Sequence, residues 1–354
     1  MSTSQPIIGN AQFKLLERLC NACAVSGDEG EVRKIVLEEV KPYADELKID
    51  AMGNVLVTKK GNSRNRLRVM LDAHMDEVGF ILVSEGADGL YRFETVGGTD
   101  SRHLLGKSVL VGKEHLPAVI GAVPVHLADD DELKRKPSLD SLRIDLGPNG
   151  KANTGDWATF ATKFKRVGPS IMAKAIDDRI GVATLIELVK HAPANIDLLA
   201  AFTVQEEVGL RGAQIAAYAF NPDLAIAIDS TPAHDMPKFD GRENTVYNTR
   251  LGLGPAIYVY NRSTIDDPRL VRFLKEIAEA EGIPYQIRQP GGGGTDAGAI
   301  QRTRAGIPVV SVSVPHRYTH SPISVSRIED WKHTLQLLYV AVQSITPKLL
   351  LEKR

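Results

Sequence analysis

Apolar positions near the start of the chain recur at helical spacing. Residues 1–45 read as two helices, the second placing Val32, Ile35, Val36 and Val40 on one face, with Ser26 or Asp28 available to cap it. Alternating and apolar runs then predict strands over 47–50, 54–59 and 66–74. Between 78 and 167 the texture changes. Short β-like runs (79–84, 91–96, 108–111, 118–125, 142–146, 157–160) are broken by Gly, Asp and Pro, and no stretch there has a helical period. Beyond 170 helices alternate with short, almost wholly apolar strands: helix 178–191, strand 197–204, helix 210–219, strand 224–229, helix 267–281, strand 285–288, helix 296–304, strand 307–314 and helix 326–346. Apolar strands of this kind belong to a sheet buried on both faces. The expected fold is α/β, a largely parallel sheet sandwiched by helices, built from residues 1–77 and 168–354. A β-rich domain at 78–167 is inserted into it.

Composition adds exclusions. The 354 residues are 43% hydrophobic and 25% charged, with 43 basic against 44 acidic side chains and a formal net charge of −1. Nothing in that balance points to nucleic acid or an anionic membrane as partner. The longest apolar runs, 198–204 and 309–315, fall far short of the ~20 residues of a membrane helix. The first residues lack a basic segment followed by an apolar stretch, so the expected location is cytoplasmic. Two cysteines exclude a disulfide scaffold. The charge run 129–136 reads as a solvated loop of the insert.

Open parallel sheets bind ligands at the carboxyl ends of their strands. There this chain places His74-Met-Asp76, Gln205-Glu206-Glu207, Asp229, and His316 to His320, while Asp177 and Asp178 open a helix. Carboxylates gathered on one sheet edge repel unless a cation is present. Two imidazoles with several carboxylates and no thiolate describe a site for Zn²⁺, Co²⁺ or Mn²⁺. Charge counting favours two divalent ions, whose four positive charges balance Asp177, Glu207, Asp229 and one hydroxide. Ion pairs ~3.5–4 Å apart activate water against acyl centres. Asp76, two residues from His74, is placed to accept the second ring N–H of His74. Neighbours on an extended backbone point apart, so one of Glu206 and Glu207 can hold metal while the other faces substrate as general base.

Six runs carry a resemblance: Leu71 to Gly79 (LDAHMDEVG), Ala175 to Gly181 (AIDDRIG), Thr203 to Gly212 (TVQEEVGLRG), Ala227 to Ser230 (AIDS), Gly292 to Gly298 (GGGTDAG) and Arg317 to Pro322 (RYTHSP). In order and over nearly the whole chain, they resemble the signature blocks of the tetrahedral (TET) dinuclear metallo-aminopeptidases, which include glutamyl and deblocking aminopeptidases. The resemblance implies a zinc-exopeptidase-like catalytic domain acting on peptide substrates. It implies His74, Asp177 and Asp229 on one metal, Asp177 bridging to a second metal held by Glu207 and His320, Glu206 as general base, and Asp76 as partner of His74. It also implies that the insert is a dimerisation domain and that the homo-oligomer is built of dimers assembling into a tetrahedral dodecamer. One departure is that residues 145–156 are fewer than in the corresponding family segment, which carries a small helix.

Competing readings are weaker. Spacing alone does not choose between His316 and His320; the resemblance selects His320. His103, His115, His126, His191, His234 and His333 read as surface or satisfied residues without carboxylate company, Cys20-x-x-Cys23 as helix packing, and Asp72 as structural. Gly291 to Gly294 lacks the Lys-Ser/Thr of a phosphate loop and is not at a first strand–helix turn, which argues against a nucleotide-dependent oxidoreductase. The metal site alone leaves open a carboxypeptidase or N-acyl-amino-acid hydrolase. The sequence offers Arg211, Arg250 and Arg317 as cations for an acidic substrate side chain without placing any of them.

Overall fold

The computed structural model describes residues 5–129, 134–246, 248–290 and 293–354; part of the charge run 129–136, and Gly291 and Gly292, lie outside the described residues. Helix α1 (Asn10–Asn21) buries Leu15, Leu16, Leu19 and Cys20 as one stripe, and α2 (Gly30–Val40) buries Val32, Val36 and Val40 one turn apart. Neither Ser26 nor Asp28 caps α2. Its N-cap is Glu29, whose side chain makes no capping bond, and the Ser26 hydroxyl donates instead to the buried Asp76 at 2.6 Å. Strands β1 (Glu46–Ile49), β2 (Val55–Lys59) and β3 (Arg68–His74) follow.

The next six strands leave the sheet. β4 (Gly79–Glu85), β5 (Leu90–Val96), β6 (Ser108–Val111), β7 (Leu116–Gly121), β8 (Arg143–Asp145) and β9 (Trp157–Phe160) close into an antiparallel barrel of order β4-β5-β8-β7-β6-β9. Closure leaves no open edge. The barrel has its own core of Phe80, Leu82, Tyr91, Phe93, Val109, Ile120, Ile144 and Phe160. The Phe80 ring meets Phe93 and Phe160 edge-on, each at 5.3 Å. The segment 145–156 runs through turns without a helix. Tyr91 pins it, its hydroxyl donating to Ala152 O and accepting from Ala152 N.

The chain then returns through β10 (Lys165–Val167), β11 (Ser170–Ala173), α3 (Ile176–Lys190), β12 (Asp197–Thr203), α4 (Arg211–Phe220), β13 (Leu224–Pro232), β14 (Ala256–Ile257), α5 (Pro268–Ala280), β15 (Gln286–Ile287), α6 (Ala297–Gln301), β16 (Val309–Arg317), β17 (Ser324–Arg327), α7 (Ile328–Ser344) and α8 (Lys348–Leu351). The sheet has 11 strands along the path β1-β2-β12-β3-β13-β16-β17-β11-β10, with β14 and β15 off it. It is parallel at its centre, through β12, β3, β13 and β16, and antiparallel towards both edges.

The two faces of the central strands differ in side-chain size. Leu198, Ala200 and Phe202 of β12 and Leu224, Ile226 and Ile228 of β13 face the larger core with α1, α2, α3 and α7. Leu199 and Ala201, and Ala225 and Ala227, face the smaller one, where Ala213, Ala216 and Ala217 of α4 pack. Alanines on both partners let that helix lie close to the sheet.

Candidate metal centre

Register brings the chemistry-bearing residues to one height. On β3, His74 pairs with Thr203 of β12, and Asp72 with Ala227 of β13, which sets Asp229 level with His74. His316, next to last in β16, pairs with Pro232, and His320 follows in a turn. Asp177 lies in the irregular first turn of α3, where Ala175 is left-handed and the Asp177–Asp178 peptide is cis.

These side chains form two groups that share Asp177. His74 Nε2 lies 3.4 Å from Asp177 Oδ1 and 3.9 Å from Asp229 Oδ1; His320 Nε2 lies 3.6 Å from Asp177 Oδ2 and 3.1 Å from Glu207 Oε2. Within each group the potential ligand atoms all lie within 4.8 Å of one another. The fit to divalent metal rests on this donor set, imidazole nitrogens and carboxylate oxygens, with His74 and Asp229 buried and Asp177, Glu207 and His320 half-buried. Burial pushes Asp229 well up, with Asp177 adding repulsion, and raises Glu207 against the pull of His320. Such crowding is relieved by cations. Burial opposes charge on His320, but Glu207 and Asp177 outweigh it and push it up to about 9. His316 belongs to neither group. It is fully buried, its Nε2 within 3.0 Å of the Ser230 hydroxyl and 2.9 Å of that of Thr319, and burial lowers it to about 4.

The Glu206–Glu207 pair is not on extended backbone, contrary to the sequence expectation. β12 stops at Thr203, Gln205 is left-handed (φ 56°), and a turn closes from Glu206 O to the amides of Gly209 and Leu210. The two side chains are therefore separated by turn geometry. Asp76 organises that turn: Oδ1 accepts from the Glu206 amide at 3.0 Å, and Oδ2 from the Glu207 amide at 3.2 Å and from Ser26. Asp76 Oδ1 also lies 3.5 Å from His74 Nδ1, an ion-pair distance rather than a formed hydrogen bond. Asp76 thus grips the glutamate turn more firmly than it grips the histidine. Burial first, and then Glu207, Asp296 and Asp229, hold the Glu206 carboxyl well above its usual range. A base raised in this way is matched to proton transfer near neutrality.

Sequence reasoning missed a second tier of acids. Asp178 and Asp296 are buried, and burial together with Asp296 pushes Asp72 beneath His74 well up; Asp296 Oδ2 accepts from Thr203 at 2.7 Å. The run Thr295-Asp296 was the available signal, hidden inside a glycine block. Gly293 and Gly294 line the cleft, and a Cβ at Gly294 would come within 2.5 Å of Ser263 Oγ. Arg211, Arg250 and Arg317 do not line the cleft. Arg317 is tied to Asp235 at 2.6 Å. The arginine there is Arg288, whose guanidinium stacks over Tyr258 at 4.6 Å and donates from Nε to Thr231. The expectation for His115 also fails: its Nε2 lies 2.6 Å from Glu31 Oε1, across 84 residues of sequence. Burial raises Cys20 to about 12 and Cys23 to about 11, so neither is a nucleophilic thiolate.

The cleft has a volume of about 510 Å³ and is lined by His74, Asp177, Glu206, Glu207, Asp229 and His320 among others. A mixed sheet carrying clustered His and carboxylate side chains at the ends of its parallel strands, with a barrel set into it, fits the class of metal-dependent hydrolases. The family model for M42 glutamyl aminopeptidase matches residues 53–337, and the chain belongs to that family; it is an aminopeptidase. It is 33% identical to a TET aminopeptidase from the marine sediment archaeon Thaumarchaeota archaeon SCGC AB-539-E09, with a TM-score of 0.91 over 96% of this chain and 98% of the other. The Pyrococcus horikoshii TET1 peptidase, which can assemble into a tetrahedron or a large octahedral shell, is 32% identical with a TM-score of 0.82 over 94% of this chain and all (100%) of the other. The lysyl aminopeptidase of Pyrococcus furiosus is 30% identical over 95% of this chain and 98% of its own. Among the described residues no helix is long and apolar enough to cross a membrane.

Proposed function

We propose that the site holds two divalent ions, one by His74, Asp177 and Asp229 and the other by Asp177, Glu207 and His320, with Glu206 as general base of peptide hydrolysis at a free N-terminus. The observation that carries this reading is the division of Asp177, whose two oxygens face two different ligand groups. Zn²⁺ or Co²⁺ suits the N/O donors best, with Mn²⁺ also accommodated. When bound, such ions supply polarisation of the scissile carbonyl and a water of lowered pKa. Glu206 takes a proton on its carboxylate and passes it to the leaving amine nitrogen. Asp76 holds the Glu206 and Glu207 amides and so fixes the directions in which the two side chains leave the turn. His316, kept neutral by burial, anchors Ser230 beside Asp229.

The same reading divides the chain into a discontinuous catalytic domain, 1–77 and 168–354, and an insert, 78–167, that carries a dimer contact. Dimers assemble into a tetrahedral dodecamer, a reading supported by the tetrahedron that the Pyrococcus horikoshii TET1 peptidase can form, and the expected location is the cytoplasm. The lysyl relative and the glutamyl family model differ in the residue named, so the N-terminal preference is read from experiment. Hydrolysis of an aminoacyl-anilide panel, with each metal and alongside N-acyl amino acids, tests the assignment. Cleavage of the anilides alone supports it, and preference for the N-acyl substrates overturns it.

A further inference from the structure

We propose that Cys23, Glu31 and His115 form a separate site for a thiophilic divalent ion of the Zn²⁺ kind, clipping the barrel to the helical layer of the sheet. The three donors come from different parts of the fold. Cys23 lies in the loop after α1, Glu31 in the first turn of α2, and His115 on the turn joining β6 to β7 of the barrel. Their potential ligand atoms all lie within 4.8 Å of one another, and His115 Nε2 is 2.6 Å from Glu31 Oε1. One cysteine sulfur, which gives up its proton as the ion binds, one imidazole and one carboxylate are a donor set that Zn²⁺ takes at ~2.0–2.3 Å, with solvent completing a four-coordinate shell. His115 and Glu31 are 39% and 41% exposed, which leaves an approach for the ion and that solvent ligand.

The surroundings suit a clip. His115 ends the β6–β7 turn in a left-handed conformation, φ 52°. Beside it Lys113 of the same turn contacts Asp28. The Cys23 amide donates to the second Glu31 oxygen at 2.9 Å, so the carboxylate is already oriented. Cys23 and Glu31 also bracket the loop whose Ser26 donates to Asp76. An ion here would tie the barrel to the loop that supports the glutamate turn.

The test uses sulfur as its reporter. The other proposed ligands are nitrogen and oxygen, and the chain has two cysteines, of which Cys20 is fully buried in helix packing. Metal-free full-length protein is titrated with Co²⁺ and followed by near-ultraviolet absorption and by metal analysis. The expected result is a thiolate-to-Co²⁺ charge-transfer band that saturates stoichiometrically, and one ion per subunit beyond those held by the His74–His320 centre. Cys23→Ser and His115→Ala should each lose that ion, and Cys23→Ser the band, while Cys20→Ala keeps both. Circular dichroism should confirm that each variant is folded. Absence of the band in the wild type, its persistence in Cys23→Ser, or saturation only at large excess overturns the site. Because the band needs sulfur, it reads this site even if the ligands of the catalytic centre are wrongly assigned.

Discussion

At the scale of single residues, the molecule gives neighbouring glutamates different tasks. Glu207 lies against His320 at 3.1 Å and within reach of Asp177; Glu206 faces the cleft with its carboxyl raised by burial and nearby acids. Glu207→Gln should lower the bound-metal count and activity together. Glu206→Gln keeps volume but loses the proton acceptor, so metal should stay bound, KM should change little and kcat should fall about 10²–10⁴-fold. Metal analysis with steady-state kinetics checks both, and a metal-depleted Glu206→Gln would reverse the assignment. The residue types at this edge were legible because strand ends in a parallel sheet converge. The reason the pair diverges was not. Period-two alternation assumes a strand, and the left-handed Gln205 ends it first. His115 and Glu31 were illegible for a related reason: local patterning carries no information about a contact between a barrel turn and a distant helix.

At the scale of elements, close backbone approach fixes the turn that carries the glutamates. Gly212 follows it at the start of α4, where an added Cβ would meet Asn54 Oδ1 and Val204 O, each at 2.4 Å. Asn54 bonds both sides of that contact, accepting from Val204 N at 2.9 Å and donating to Gly212 O at 3.0 Å. Gly212→Ala should therefore cost about 1–3 kcal/mol and lower kcat, read by denaturant unfolding and anilide kinetics; a variant as stable and active as the parent would count against the argument. The junction with the barrel depends on Glu77, buried between Lys174 (2.7 Å) and Arg179 (3.0 Å) and bonded by Thr159 of β9. Glu77→Gln strands two buried cations and should destabilise by ~3–5 kcal/mol. Burial alone would raise the Glu77 carboxyl, but Lys174 and Arg179 more than offset it, and it lies below its usual 4.5. Its contribution is therefore complete above about pH 4.5 and is lost as pH falls through the lowered folded value. Unfolding measured against pH should show a shallower acid limb in the variant; an unchanged limb would remove Glu77 as its source. The change of texture begins near 78, beside this junction, and runs on to 167, past β9 and through β10 of the sheet. Closure of the barrel did not, because it depends on β9 pairing with both β4 and β6 across long loops.

At the scale of the whole molecule, the barrel can be separated from the catalytic centre by argument and by surgery. None of the proposed catalytic ligands lies between β4 and β9, and the first and last barrel strands pair antiparallel, Phe80 opposite Ala158. Cross-strand neighbours have Cα atoms about 4.5–5.5 Å apart, so the chain leaves the sheet and returns to it side by side. A short Gly-Ser linker between Gly79 and Thr159 should span that gap while keeping Glu77 and its partner Thr159. The shortened protein should melt cooperatively, bind metal through His74, Asp177, Glu207, Asp229 and His320, and lose the dimer contact assigned to the barrel. Light scattering should report a smaller assembly than the full chain forms. Circular dichroism and metal analysis distinguish that outcome from simple failure to fold. A folded, metal-loaded deletion variant of unchanged oligomeric order would sink the assignment of the dimer contact to the barrel and place it on the helices or on the loops around the cleft.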